Sequence, residues 1–159
     1  MRIIRTLHEG DADAYARLRR QSLEELPLVF GASAATDVAS AVSAESILIG
    51  AFEDEQLIAA IGLYRGAREK SAHKMQVWGM YVAPEFRGRG IAPSLLEAAL
   101  RQARETPGVD WVDLSVTSAA PVARKLYERA GFQLWGTEPD ALRHEGESVD
   151  EYHLTLRLR

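Results

Sequence analysis

Residues 80–92 read Met80-Tyr81-Val82-Ala83-Pro84-Glu85-Phe86-Arg87-Gly88-Arg89-Gly90-Ile91-Ala92. The aromatic and β-branched residues before Pro84 are typical of a strand, and proline ends it because it cannot donate a ladder hydrogen bond. Two glycines then allow a tight turn and let the backbone lie close to a ligand. From Ile91 apolar residues recur every three or four positions, as on one face of an α-helix. The segment therefore predicts a strand, a glycine-rich turn and a helix.

This turn is a candidate anion site, because a helix begins directly after it. The first backbone N–H groups of a helix lack internal partners, and the helix dipole is positive there. Phosphate or pyrophosphate suits such a position, and Arg87 and Arg89 add positive charge. A plain connection with solvated arginines remains the alternative. The P-loop and dinucleotide fingerprints are excluded, since no Gly-Lys-Ser/Thr follows and a third glycine is missing.

The composition is that of an ordinary globular protein, and we expect one domain over residues 1–159. Of the 159 residues, 47% are hydrophobic and 26% are charged, and the net charge is −4. This balance argues against general nucleic-acid binding, and no apolar run approaches the ~20 residues of a membrane span. The chain has no cysteine, and its four histidines show no metal-ligand spacing. We expect a cytoplasmic protein without a metal site.

Hydrophobic periodicity predicts the element order β-α-α-β-β-β-α-β-α-β-β. Asp11 is a candidate N-cap of the first helix, and a weaker second helix is predicted around Ala35–Val42. Ser118 is a candidate cap of the last helix, which Gly131 ends, and Gly136–Glu147 is predicted as a loop. The order predicts an α+β fold with a mixed, mainly antiparallel, seven-stranded sheet and about four helices.

At the glycine-rich turn the chain resembles the GCN5-related N-acetyltransferases, the GNAT superfamily. Their signature is Arg or Gln, two residues, Gly, one residue, then Gly or Ala, and here it stands as Arg87-Gly88-Arg89-Gly90-Ile91-Ala92. The resemblance implies that backbone amides of these six residues hold the pyrophosphate of acetyl-CoA. It also implies that the fourth and fifth strands splay apart, so that Met80 and Val82 pair with the pantetheine arm. The matching element order extends the resemblance over nearly the whole chain.

A second family signature lies on the helix after the fifth strand. The chain matches it at Ala123, Leu126-Tyr127 and Gly131-Phe132, but Ala120 replaces the usual Asn, a loss of about 1 kcal/mol if one coenzyme contact goes with it. The resemblance implies that Tyr127 is the general acid that protonates the thiolate leaving group of coenzyme A. Core packing alone is the open alternative for Tyr127, because apolar residues share its helix at core spacing.

The general base is the part of the resemblance that this sequence lacks. Many family members carry a Glu on the fourth strand, where this chain has Gln76, which cannot take a proton. His73, Glu24, Glu25 and His144 are the candidates elsewhere, and a solvated surface role is open for each. An acceptor amine of low pKa would need no dedicated base. The sequence leaves the base unassigned.

The resemblance implies an acetyl-CoA-dependent N-acetyltransferase in which a primary amine attacks the thioester directly within a ternary complex. A small-molecule amine is the expected acceptor, between walls at Glu25–Ser33, Arg65–His73 and Gly136–Glu147. A non-catalytic acyl-CoA-binding module, a protein N-terminal or lysine acetyltransferase, and a domain that binds another phosphate compound are the alternatives. We expect no nucleic-acid or membrane partner, and either a monomer or a homodimer.

Overall fold

The computed structural model describes residues 1–30, 46–66 and 68–159. These residues form seven strands and three α-helices in the predicted order. They are β1 (Arg2–Thr6), α1 (Ala12–Glu25), β2 (Ser46–Glu53), β3 (Gln56–Arg65), β4 (Lys74–Val82), α2 (Ile91–Glu105), β5 (Trp111–Thr117), α3 (Pro121–Arg129), β6 (Gln133–His144) and β7 (Glu147–Arg157). The fourth predicted helix, around Ala35–Val42, lies outside the described residues.

All seven strands form one sheet in the order β1-β2-β3-β4-β5-β7-β6. Each neighbouring pair is antiparallel except β4 and β5, which are parallel. Helix α2 is the crossover between these two strands, as parallel neighbours require. The predicted mixed, mainly antiparallel, seven-stranded sheet is confirmed.

The sheet carries a hydrophobic core on each face. Helix α2 covers one face with the side chains that the sequence period predicts, Ile91, Leu95, Leu96, Ala99, Leu100 and Ala103, all buried. Helix α1 covers the other face, where Tyr15 and Leu18 pack with Leu48, Phe52 and Tyr81. Within the described ranges no helix is both long and apolar enough to cross a membrane.

Asp11 is the N-cap residue of α1 as predicted, but its side chain makes no capping hydrogen bond to that helix. A short 3₁₀ turn, Glu9–Asp11, precedes α1, and Asp11 instead accepts a hydrogen bond from the His8 amide at 2.9 Å. The Arg5 guanidinium donates to both carboxylate oxygens, at 2.8 and 3.0 Å. The hydrogen bond from Arg5, followed by that from His8, holds the pKa of Asp11 well below its usual range. Asp11 therefore ties β1 to the start of α1.

Replacing Asp11 by Asn is expected to lower the stability of the protein at pH 7, because Arg5 loses its charged acceptor. A depressed folded-state pKa contributes stability above the unfolded pKa of about 4, and this contribution is lost progressively below that pH. The difference between the Asp11→Asn variant and the wild type should therefore shrink between pH 5 and pH 3. Urea unfolding at both pH values measures it, with the exposed Asp13→Asn as control. An equal difference at both pH values would contradict this account.

The segment predicted as a loop, Gly136–Glu147, is instead a long β-hairpin of β6 and β7. Its two-residue turn, Glu145-Gly146, has positive φ at both positions, as hairpin turns of this length favour. The register shifts between Glu138 and Leu142. At this irregularity the Asp140 amide donates to the Asp150 carboxylate at 2.9 Å, and the Asp140 carboxylate accepts hydrogen bonds from Arg143 and Ser148.

Candidate active site

The two parallel strands at the centre of the sheet separate partway along their length. Strand β4 pairs with β5 only from Lys74 to Gln76, and the later residues of β4 face no described strand on that side. Between the pairs Gly62–Trp78 and Ala60–Tyr81, β4 holds one residue more than β3. Gly79 lies in this bulge with a φ of +62°, a conformation that glycine adopts without strain. The predicted splay of the fourth and fifth strands is confirmed.

A cleft of about 310 Å³ occupies the gap between the diverging strands. Residues 76–80 of β4 and residues 114–116 of β5 form its walls. Arg19, Val29 and Phe30 line it from the α1 side, with the Arg19 guanidinium 5.1 Å from the ring centre of Phe30. Of the expected acceptor walls, 25–33 contributes Val29 and Phe30, whereas 65–73 and 136–147 contribute no described lining residue.

Tyr127 of α3 lines this cleft although only 6% of its surface is exposed. Its ring packs edge-on against Phe132, with 5.9 Å between the ring centres. Within the described part of the chain its hydroxyl makes no hydrogen bond. Burial raises the pKa of the Tyr127 phenol well above its usual value. The phenol is therefore protonated at neutral pH and has a proton to give.

The glycine-rich turn leads from β4 to α2 as predicted. Gly88 and Gly90 have φ angles of +78° and +76°, and a Cβ at either position would meet no atom within 4 Å. Gly90 is the N-cap of α2, and no side chain of the described residues caps this helix end. The amides of Ile91 and Ala92 therefore meet no acceptor among the described residues, while Pro93 has no N–H. The turn is an open surface with backbone donors at the positive end of a helix.

Arg87 connects this turn to Glu25, the last residue of α1. Its guanidinium donates to both carboxylate oxygens of Glu25 at 2.9 Å, and its Nε donates to the Val82 carbonyl at 2.9 Å. The Tyr81 hydroxyl also donates to Glu25. The hydrogen bond from Arg87 is the main reason that the pKa of Glu25 is lowered. Glu25 is consequently a poor base, and Arg87 is already engaged within the protein.

Arg89 faces a different carboxylate. Its guanidinium lies 3.7 Å from Glu53 and 5.2 Å from the ring centre of Phe86. Arg2 lies 3.9 Å from the same Glu53 and donates to the Arg89 carbonyl. The turn is thus held from the β1–β2 edge as well as from α1. Arg87 and Arg89 stay predictions as coenzyme ligands.

The start of α3 differs from the prediction in its cap. Ala120, not Ser118, is the N-cap residue, and no side chain caps the helix. The Ser118 hydroxyl accepts a hydrogen bond from the Asp150 amide instead, at 3.1 Å. Pro121 occupies the first turn. The position where the family signature has Asn is therefore an N-cap that lacks its capping side chain.

Replacing Ala120 by Asn should stabilise the protein by about 1 kcal/mol, because an Asn at this position accepts a backbone N–H of the first turn. Thermal unfolding should show a rise in Tm of roughly 2–4 °C. Ala120→Gln is the matched control, since its longer side chain is a poor N-cap. An equal effect of both substitutions would contradict the capping explanation.

The four candidate bases from the sequence do not come together at the cleft. Glu24, Glu25, His73 and His144 are all exposed, and none is among the described lining residues. The cleft is lined instead by Ser115 of β5 and Glu151 of β7, which the sequence analysis did not single out. Polar and apolar residues alternate along these strands in the sequence. The register with which the strands pair cannot be read from the sequence, so the sequence does not show that these two residues meet at the cleft.

Comparison with known proteins identifies the family of this chain. A model of the family described as "Acetyltransferase (GNAT) family" matches residues 13–132. Mycothiol acetyltransferase of Propionibacterium freudenreichii subsp. shermanii is 36% identical over 72 residues, which are 45% of this chain and 23% of that protein. The L-amino acid N-acetyltransferase of Escherichia coli K12 is 29% identical over 77 residues, 48% of each chain. The matched regions span between about a quarter and a half of these relatives.

Solved structures share the fold over the full length of the chain. A structure from Salmonella typhimurium, solved with its cofactor acetyl-CoA, superposes with a TM-score of 0.84 at 15% identity. The superposition covers 100% of this chain and 95% of that one. At this identity the likeness establishes the architecture alone.

Proposed function

Because the chain belongs to the GNAT acetyltransferase family, we propose that it transfers the acetyl group of acetyl-CoA to a primary amine. The observation that carries the proposal is the buried Tyr127 phenol in the cleft where β4 and β5 diverge. Residues 77–82 of β4 have no described partner on the β5 side. The cleft lies along the first of these residues, and the open turn at Gly88 and Gly90 follows the last of them. One extended ligand with a thioester at one end and a pyrophosphate at the other suits this layout.

The residues present fit the coenzyme at two places. The backbone donors of Ile91 and Ala92 would take the pyrophosphate, at glycines where nothing blocks the approach. The unpaired side of β4 around Met80 would take the pantetheine amides as an added strand. The Val82 carbonyl already accepts from Arg87, so Met80 is the stronger of the two predicted contacts.

The chemistry would be direct transfer in a ternary complex. The amine lone pair attacks the thioester carbonyl carbon, the carbon–sulfur bond breaks, and Tyr127 gives its proton to the departing thiolate. The nitrogen loses one proton as the amide forms, and a proton returns to the Tyr127 phenolate. We propose a small-molecule acceptor, because the cleft of about 310 Å³ is lined from five elements, α1, β4, β5, α3 and β7. The protein would act as one domain over residues 1–159.

Thermal unfolding with increasing acetyl-CoA tests the coenzyme site first. Ligand at ~100 times its dissociation constant should add about 2.7 kcal/mol, or roughly 5–10 °C in Tm. A panel of L-amino acids, their amides and polyamines, with thiol release as the readout, then tests transfer. A saturable shift without turnover of any amine would favour an acyl-CoA-binding module.

A further inference from the structure

Strands β5 and β7 present a continuous polar face beside the cleft. Their antiparallel register pairs Asp113 with Thr155, Ser115 with His153, and Thr117 with Glu151. The alternate residues, such as Leu114 and Leu154, are buried in the core on the other side of the sheet. The polar pairs therefore lie on the opposite face, and Ser115 and Glu151 line the cleft that contains Tyr127.

Ser115 and His153 are joined by a hydrogen bond across the two strands. Ser115 Oγ lies 3.1 Å from His153 Nδ1. The other ring nitrogen, Nε2, lies 3.8 Å from a carboxylate oxygen of Glu151 and 3.9 Å from one of Glu138. Two carboxylates favour a proton on Nε2, which leaves Nδ1 with the lone pair that accepts from the Ser115 hydroxyl.

The His153 imidazole lies beside two carboxylates, Glu138 and Glu151. Trp135 of β6 lies against the ring, with 5.4 Å between the ring centres, and the His153 side chain is 29% exposed. Ser115 faces it from β5, Glu138 from β6, and Glu151 from its own strand. When the ring becomes an imidazolium, the two carboxylates stabilise its charge. Among the described residues that line the cleft, Gln76 cannot take a proton and Glu151 lies 3.8 Å from the His153 ring, so Ser115 is the contact between that ring and the cleft.

We propose that Ser115 and His153 form a relay that removes the proton from the acceptor amine; the proposal rests on the acetyl transfer proposed above. The Ser115 oxygen takes a proton from the substrate ammonium while its own hydroxyl proton passes to His153 Nδ1. The neutral amine then forms the carbon–nitrogen bond as the carbon–sulfur bond breaks. The second proton of the attacking nitrogen passes through solvent to the Tyr127 phenolate, and His153 gives its proton to solvent, so one proton is released for each amide formed. Ser115 is the catalytic residue that meets the substrate, and Glu151 and Glu138 position the ring.

The test compares kcat/KM for the best amine of the panel between pH 6 and pH 10 in wild type, His153→Gln and Ser115→Ala. General-base removal should cost about 10²-fold or more at neutral pH in His153→Gln. The loss should shrink as the pH approaches the amine pKa near 10, since a neutral amine needs no base. A smaller loss, of about tenfold, is expected for Ser115→Ala if water replaces the hydroxyl. His144→Gln, an exposed histidine near the hairpin turn, is the matched control and should be unchanged.

Two further readouts make each outcome decisive. An unchanged acetyl-CoA thermal shift in His153→Gln establishes that the fold and coenzyme site are intact. Long-range nitrogen–proton NMR should place the His153 proton on Nε2, and a proton on Nδ1 would overturn the relay. Wild-type kcat/KM in His153→Gln, or a loss that is equal at every pH, overturns the relay and leaves acetyl transfer standing. Absence of turnover in the wild type overturns the proposed function itself, and the relay with it.

Discussion

Replacing Tyr127 by phenylalanine is expected to lower kcat by about 10²–10³-fold while the affinity for acetyl-CoA is retained. The substitution removes only the hydroxyl, which makes no hydrogen bond within the described part of the chain. The phenylalanine ring can keep the edge-on contact with Phe132. Stability should therefore change little, and the loss should fall on protonation of the leaving thiolate.

Steady-state kinetics with acetyl-CoA and the best amine, together with the coenzyme-induced thermal shift, measure this effect. Tyr152→Phe is the matched control, because Tyr152 packs under the Arg124 guanidinium and does not line the cleft. A Tyr127→Phe variant with wild-type kcat would mean that Tyr127 only packs. A variant that loses coenzyme binding as well would place the role of Tyr127 in binding rather than proton transfer.

Replacing Gly90 by valine is expected to remove detectable acetyl-CoA binding. Gly90 has a φ of +76°, so any side chain is strained there, and the open surface over the α2 amides would be covered. The left-handed conformation should cost about 1–2 kcal/mol of stability. Coenzyme affinity should fall by more than that strain explains, because the pyrophosphate must approach the backbone of this turn.

Gly108→Val separates the two effects. Gly108 has a φ of +80°, and a Cβ there would also meet no atom within 4 Å, but it lies beyond the other end of α2. Both variants should lose similar free energy of unfolding, and only Gly90→Val should lose the thermal shift with acetyl-CoA. A full shift in Gly90→Val would move the coenzyme away from the turn.

The parts of the fold that depend on local pattern could be predicted from the sequence. The buried face of α2 follows a clear helical period from Ile91, and Pro84 and Gly90 mark the adjoining boundaries. The importance of Tyr127, which lines the cleft, is implied by the resemblance of the last helix and its end to a family signature. These features are set by residues close together in the chain.

The parts that depend on distant residues could not be predicted. The Asp140 carboxylate accepts hydrogen bonds from Arg143 and from Ser148, which lies across the β6–β7 hairpin. A polar segment that resembles a loop in the sequence is therefore extended structure. Arg87 donates hydrogen bonds to Glu25, which lies 62 residues away in the sequence. Ser115 meets His153 only through the register of β5 and β7, which no local pattern fixes.

Incubation of the protein with isotopically labelled acetyl-CoA and the amine panel tests acetyl transfer most directly. Mass spectrometry of the amines and thiol titration of the same sample would be compared. The account predicts a labelled N-acetyl amide for at least one amine, formed in equal amount to free coenzyme A. A saturable acetyl-CoA thermal shift with no labelled amide from any amine would contradict it.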